Sequence, residues 1–196
     1  MPESRIDLNQ IEEQVANQLP FPRDRWSTHL ERILPGHVLI HLSIMVSEPG
    51  WVLPVIWSKG DLTFVRDLND WSEFSQLIED EGLSVEDNLQ DILDVFCFFQ
   101  PYKRVLHSIA DLEKDLLIQE NYLLLPKYAE TMLSKYMGTI APPSVLLDGG
   151  EQQASFWTID HGSGDLEEWL LVQKGPRVHI QFWIREKHII GTLLGH

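Results

Sequence analysis

Residues 167–185 read EEWLLVQKGPRVHIQFWIR, and the way this stretch folds back on itself decides the architecture. Successive side chains of a strand point to opposite faces. A tight turn at Lys174-Gly175-Pro176-Arg177 pairs Glu167–Gln173 with Val178–Arg185. One face then carries Trp169, Leu171, Val178, Ile180, Phe182 and Ile184, and the other carries Leu170, Val172, His179, Gln181 and Trp183. An antiparallel sheet with one wet face shows polar residues there; this one is apolar on both. Working outward, Phe156–Asp160 precedes the pair through the loop His161-Gly162-Ser163-Gly164-Asp165, and His188–Leu194 reads as a last strand. That strand adds Ile189 and Leu193 to the first face, and Ile190, Thr192 and Leu194 to the second. Whether helices of the same chain, a second copy or solvent covers the second face is therefore a functional question.

A second meander spans residues 37–66. Val38, Ile40, Leu42, Ile44 and Val46 alternate with His37, Leu39, His41, Ser43 and Met45. Glu48-Pro49-Gly50-Trp51 has proline and glycine where a type II turn wants them. Two-residue loops there and at Lys59-Gly60 set Ile44 against Val55, Leu42 against Trp57, Trp57 against Leu62, and Val55 against Phe64. Pro54 has no amide donor and marks a bulge or an incompletely paired side.

The rest of the chain reads as helix, about six segments in all. Ile11, Val15 and Leu19 form a stripe ending at Pro20, and Trp26, Leu30 and Ile33 suggest a second helix over 24–34. Asp70-x-x-Glu73 resembles a capping box before Trp71, Phe74, Leu77 and Ile78. Val85, Leu89, Ile92, Phe96 and Phe99 follow a second start at Ser84-x-x-Asp87. Helices are predicted over 102–117 and from Pro126 through Tyr136, whereas 139–153, with Pro142-Pro143 and Gly149-Gly150, reads as loop or as a junction between substructures. The fold class is α+β: antiparallel meanders at 37–66 and 155–194 packed on helices, with 1–196 read as one domain. At this size about 70% of the extended chain's surface is buried on folding, enough for a core without disulfides.

The chain carries 30 acids against 15 Lys and Arg, a net charge of −15. This disfavours nucleic acid and anionic membrane, both of which select basic surfaces. No apolar run reaches the ~20 residues of a spanning helix, so a cytoplasmic protein is the expectation. Cys97, the single cysteine, lies in an apolar, acid-flanked setting that suits a buried thiol and not a nucleophile.

Four groups of residues are candidates for chemistry. The expected register sets His41 beside Ser58 and Ser58 beside Asp61, a hydrolase-like row in the wrong order, since Ser58 and not His41 stands in the middle. His37 and His41 share a face but lie about 13 Å apart along a strand, too far to bind one metal, and neither a metal nor a cofactor is expected. Gly162-Ser163-Gly164 joins two strands instead of opening a helix, so a hairpin loop explains it better than a phosphate cradle. Finally, residues 67–102 contain ten acids and no Lys or Arg. The helical stripes turn most of them outward, Glu79, Asp80, Glu81, Glu86, Asp87, Asp91 and Asp94 in particular.

The leading expectation is a non-catalytic acidic module (adaptor, chaperone-like or inhibitor/immunity-type) that binds a basic protein partner. A small-molecule-binding protein or hydrolase is the alternative, with a pocket near His179 and Trp183 or near His41 and Ser58. A homodimer through the second meander face is the third. Leu170, Val172, His179, Gln181, Trp183 and Ile190 are the interface or pocket candidates.

Overall fold

The computed structural model describes residues 8–45, 50–120 and 126–190. The chain is α+β with two separate antiparallel sheets, of four and five strands. It divides into two compact units, Met1–Asn69 and Asp70–His196. Among the described residues there are five α-helices, against about six expected, and none is long and apolar enough to cross a membrane.

The first unit runs α1 (Leu8–Gln18), a short 3-10 turn (Arg23–Arg25), β1 (Trp26–Ile33), β2 (Val38–Ile44), β3 (Trp51–Ser58) and β4 (Asp61–Phe64). The strands pair in sequence order. Ile11 and Val15 of α1 pack on Trp26, Val38, Ile40, Leu42, Ile44 and Val55, with Leu53, Trp57, Leu62 and Phe64 around them.

Two expectations are corrected here. Residues 24–34 form no helix; they are the edge strand β1. Its register shifts between Leu30 and Arg32, and the extra residue puts Trp26, Leu30 and Ile33 on one face. A bulge inside a period of two thus imitates the spacing of a helical stripe. The β2–β3 register is also four residues off along β3: Ile44 faces Trp51, Leu42 faces Leu53 and Ile40 faces Val55. An even slip leaves every apolar side chain on its own face, so the pattern could not exclude it. Val46, Glu48 and Pro49 lie outside the described residues. Trp57 opposite Leu62, Val55 opposite Phe64 and Ser58 opposite Asp61 are as expected.

The second unit runs α2 (Ser72–Asp80), α3 (Leu89–Phe99), β5 (Lys103–Leu106), α4 (Ile109–Glu120), α5 (Pro126–Tyr136), β6 (Ser144–Asp148), β7 (Glu151–Asp160), β8 (Leu166–Lys174) and β9 (Arg177–Glu186). The sheet order is β5-β7-β8-β9, and β6 also pairs with β7. β5 takes residues 157–160 of β7 and β6 takes 151–155, so the two short strands share one edge end to end. The β8–β9 register opposes Lys174 to Arg177, Leu171 to Ile180 and Trp169 to Phe182, the pairing that the turn predicts.

Helices lie on both faces of this sheet. On one, Phe96 packs edge-on to Phe156 and Trp169 at 5.0 and 4.9 Å, and Trp71 packs edge-on to Trp169 at 5.7 Å. On the other, Trp157, Ile159, Leu166 and Leu106 share a core with Leu112, Leu116, Met132 and Tyr136.

Three further corrections belong to this unit. The helix expected over 102–117 begins only at Ile109, because Lys103–Leu106 pairs with β7. Asp111 accepts the His107 amide and the Ser108 hydroxyl, a local stop that holds the strand and the helix apart. The stretch 139–153 contains a strand, Ser144–Asp148, paired with β7. Gly149 and Gly150 at φ 56° and 87° make the two-residue turn that requires positive φ twice. Lys187–Ile190 forms no strand: His188 has φ 54°, and Ile189 and Ile190 are buried in the core under α4 and α5. Thr192, Leu193 and Leu194 lie outside the described residues.

Candidate functional site

The acids of the second unit sit where two helix starts and two apolar stripes put them. α2 turns Phe74, Leu77 and Ile78 inward, leaving Glu79 and Asp80 exposed. Asp70 accepts the Ser72 amide at 3.0 Å, and this backbone hydrogen bond holds its carboxyl below the usual aspartate range. Next, Ser84 and Asp87 bond each other through hydroxyl, carboxylate and amide at 3.1 Å, a turn that leaves Glu86 and Asp87 exposed. α3 buries Ile92, Val95, Phe96 and Phe99, and Glu81, Asp91 and Asp94 are half-buried.

Several of these carboxylates are held by neutral groups. Gln76 donates to Asp80, Gln90 to Asp94, and Gln152 to Glu86. A glutamine fixes a carboxylate without cancelling its charge, so the field of the patch survives its own hydrogen bonding. Residues 70–196 hold 21 acids against 9 Lys and Arg, a net charge of −12.

The second candidate surface crosses β8 and β9. Val172 opposes His179, Leu170 opposes Gln181, and Glu168 opposes Trp183. Leu170 and Val172 are half-buried, His179 and Gln181 exposed, and Trp183 is 42% exposed. Arg185 lies over the Trp183 ring at 5.6 Å and bonds Glu168 at 2.8 Å through Nε. Ile190 is not part of this surface; it is 2% exposed, in the core with Leu112 and Tyr136. α4 and α5 cover the Trp157–Ile159 end of the face, and the β8–β9 end keeps its exposure.

The hydrolase-like row does not assemble. His41 faces Pro54, and its Nδ1 lies 2.9 Å from Glu31. The Ser58 hydroxyl donates to the Gly36 carbonyl at 3.0 Å. Among the described residues no three His, Cys, Asp or Glu side chains form a group able to hold a metal ion. Cys97 is set against nucleophilic chemistry: burial pushes its thiol up to about 11, and the Asp94 charge acts in the same direction.

In the glycine-rich loop every amide from His161 to Asp165 is already used. His161 N–H goes to the Tyr102 carbonyl, those of Gly162 and Ser163 to the Asp160 carboxylate, that of Gly164 to the Asp160 carbonyl, and that of Asp165 to the Ser163 hydroxyl. No backbone amide of the loop is left to face a phosphate. The loop instead anchors the C-terminal segment: Asp165 accepts the His188 amide at 2.9 Å, and the Gly164 carbonyl accepts that of Ile189 at 2.7 Å.

Sequence reasoning missed one buried polar cluster. Lys103 Nζ lies 2.6 Å from Asp160 and 2.8 Å from Glu167, and 5.5 Å from the Trp169 ring centre. Thr158 bonds Glu167 at 3.2 Å and accepts the Trp169 indole N–H at 2.9 Å. The strand pairing that joins these groups has no signature in local spacing, since Lys103 and Glu167 are 64 positions apart. With its donors taken by two carboxylates, the amine is a cross-brace between β5, β7 and β8.

In the first unit, Leu8, Ile11, Glu12, Thr28, Leu30 and Ile40 line a recess of about 110 Å³ between α1 and the first two strands. Its one carboxylate, Glu12, already bonds Thr28 at 2.6 Å and Arg23 at 3.0 Å.

No protein-family model, curated protein or solved structure matches this chain.

Proposed function

We propose that the chain is a non-catalytic protein-binding module whose acidic second unit engages a basic protein partner. The observation that carries this reading is the run of ten acids without a Lys or Arg over 67–102, of which Glu79 and Asp80 stand exposed in the last turn of α2 and Glu86 and Asp87 in the turn ahead of α3. Complementary charge of this kind raises association rates and excludes partners of like sign. The test is affinity capture at low and high salt with the native chain and with the quadruple variant Glu79→Lys, Asp80→Lys, Glu86→Lys, Asp87→Lys. A partner of basic composition, bound to the native chain, weakened by salt and lost to the variant, is the expected result. A partner whose binding ignores both salt and the four reversals would overturn the proposal, provided circular dichroism shows the variant folded.

A further inference from the structure

The strand edges of this protein are not equally guarded. β1 carries a bulge together with His29, Glu31 and Arg32. β4 and β5 are four residues long, and β6 is five residues long behind Pro142-Pro143. Short length, charge, proline and bulges are the usual devices against unwanted pairing. β9 is ten residues long, stands at the end of its sheet among the described residues, and from Val178 to Ile184 contains neither proline nor an acidic or basic Lys/Arg-type charge. Phe182, Trp183 and Ile184 are 44%, 42% and 44% exposed.

The pairing also says which backbone groups this edge offers. In a two-residue hairpin the closing pair, here Lys174 and Arg177, exchanges backbone hydrogen bonds. The amides of Val178, Ile180, Phe182 and Ile184 then point away from β8. The first of these confirms the direction, since the Val178 amide donates to the Ser75 hydroxyl of α2 at 3.2 Å. That same bond brings α2 alongside the edge, and Glu79, one turn beyond Ser75, lies on the same side of the helix, next to exposed Asp80. Beyond Val178, whose amide α2 takes, the apolar edge from Ile180 to Ile184 pairs with no further strand among the described residues, and α2 with its acids lies beside its start.

We infer that β9 accepts an added strand from the partner, an extended segment alternating apolar and basic side chains. The backbone of that segment would pair with Ile180, Phe182 and Ile184, and its Lys or Arg would face the acids of α2; main-chain bonds supply affinity and side chains supply selectivity in such strand addition. A second copy of the chain suits the edge less well, because two units of net charge −12 repel. The inference rests on the acidic-module reading and specifies where and how the partner sits.

The test is amide hydrogen exchange, read residue by residue, on the full chain with and without a blocked nine-residue peptide alternating lysine and valine. A lysine–glycine peptide of equal charge and low strand propensity is the control. In the free protein the amides of Ile180, Phe182 and Ile184 exchange fast, and those of His179, Gln181 and Trp183, which face β8, are protected. The lysine–valine peptide slows the three outward amides at least tenfold and the control does not. Ile184→Pro removes one outward donor without costing a β8 bond, and weakens the peptide at least tenfold while His179 and Gln181 stay protected. Salt-dependent peptide binding that protects none of the three amides overturns the edge inference and leaves the acidic-module reading standing. Absence of any binding overturns the inference outright. Protection that rises with the protein's own concentration, without peptide, assigns the edge to a second copy and overturns it too.

Discussion

Gly164 approaches Ile190 so closely that a β-carbon on the glycine would stand 2.2 Å from the Ile190 carbonyl oxygen. Gly164 also has φ +78°, a conformation that costs an L-residue about 1–2 kcal/mol by itself. Gly164→Ala therefore combines backbone strain with a clash against main chain, which cannot swing aside. Gly149 has positive φ too, but nothing lies within 4 Å of the added carbon. Urea unfolding should show Gly149→Ala losing about 1–2 kcal/mol and Gly164→Ala about 1–3 kcal/mol more, with Ile189 and Ile190 losing amide protection only in the latter.

The brace at Lys103 makes a second prediction. The Lys103 side chain is 10% exposed, and its ammonium faces the Asp160 and Glu167 side chains, which are 16% and 5% exposed. Lys103→Met leaves two carboxylates buried without a cation, a loss of about 3–5 kcal/mol. Adding Glu167→Gln to that variant removes one of the stranded charges and should recover part of the loss. A double variant no more stable than Lys103→Met alone would contradict the brace.

Acid should erase the contribution of Glu12. Its hydrogen bond from Thr28, with help from Arg23, holds the carboxyl below the usual 4.5 despite partial burial. A depressed folded-state value means stability that is present above about pH 4.5 and lost as the pH falls through the folded value. Glu12→Gln should cost about 0.5–1.5 kcal/mol at pH 7 and progressively less below pH 4.5, until the two unfolding curves meet. A gap that stays constant down to pH 2.5 would show that the charge contributes nothing.

The Cys97 thiol should be chemically quiet in the folded chain. With its value raised to about 11 by burial, the thiolate that reacts with disulfide reagents is about 100-fold scarcer at pH 8 than for a free cysteine. Ellman's reagent should release its chromophore slowly from the native protein and at once in 6 M guanidinium (about the concentration that unfolds small domains). Equal rates in both would place the thiol in solvent.

How much of this was legible in the sequence depended on the range of the signal. The β8–β9 hairpin was readable from Lys174–Arg177 to Glu167–Ile184 because a two-residue turn fixes which residue meets which, and only the register shift between Leu166 and Glu167 lay beyond it. α3 and α5 were readable from their stripes. β1 was not, because its bulge spaces Trp26, Leu30 and Ile33 as a helix would. β5 and β6 were too short to show a period, and what makes them strands is β7, which lies up to 57 positions away for the Lys103–Asp160 pair. The same applies to the sites. The acids were visible as a local run with no cations in it. The Lys103 brace and the anchoring work of the Gly162-Ser163-Gly164 loop exist only once strands distant in sequence are side by side. The face of β2 was legible while its register was not, since an even slip costs the pattern nothing.

A strand edge that is unguarded for a partner is unguarded for everything else. Like net charge opposes any edge-to-edge approach of two free molecules, and that opposition depends on acidity in a way the backbone does not. Near the isoelectric point of about 4.8 that the composition implies, the repulsion between molecules falls away, while Phe182, Trp183 and Ile184 stay as exposed as before. Precipitation there should begin edge to edge at β9, which makes solution history and storage pH part of how this protein behaves.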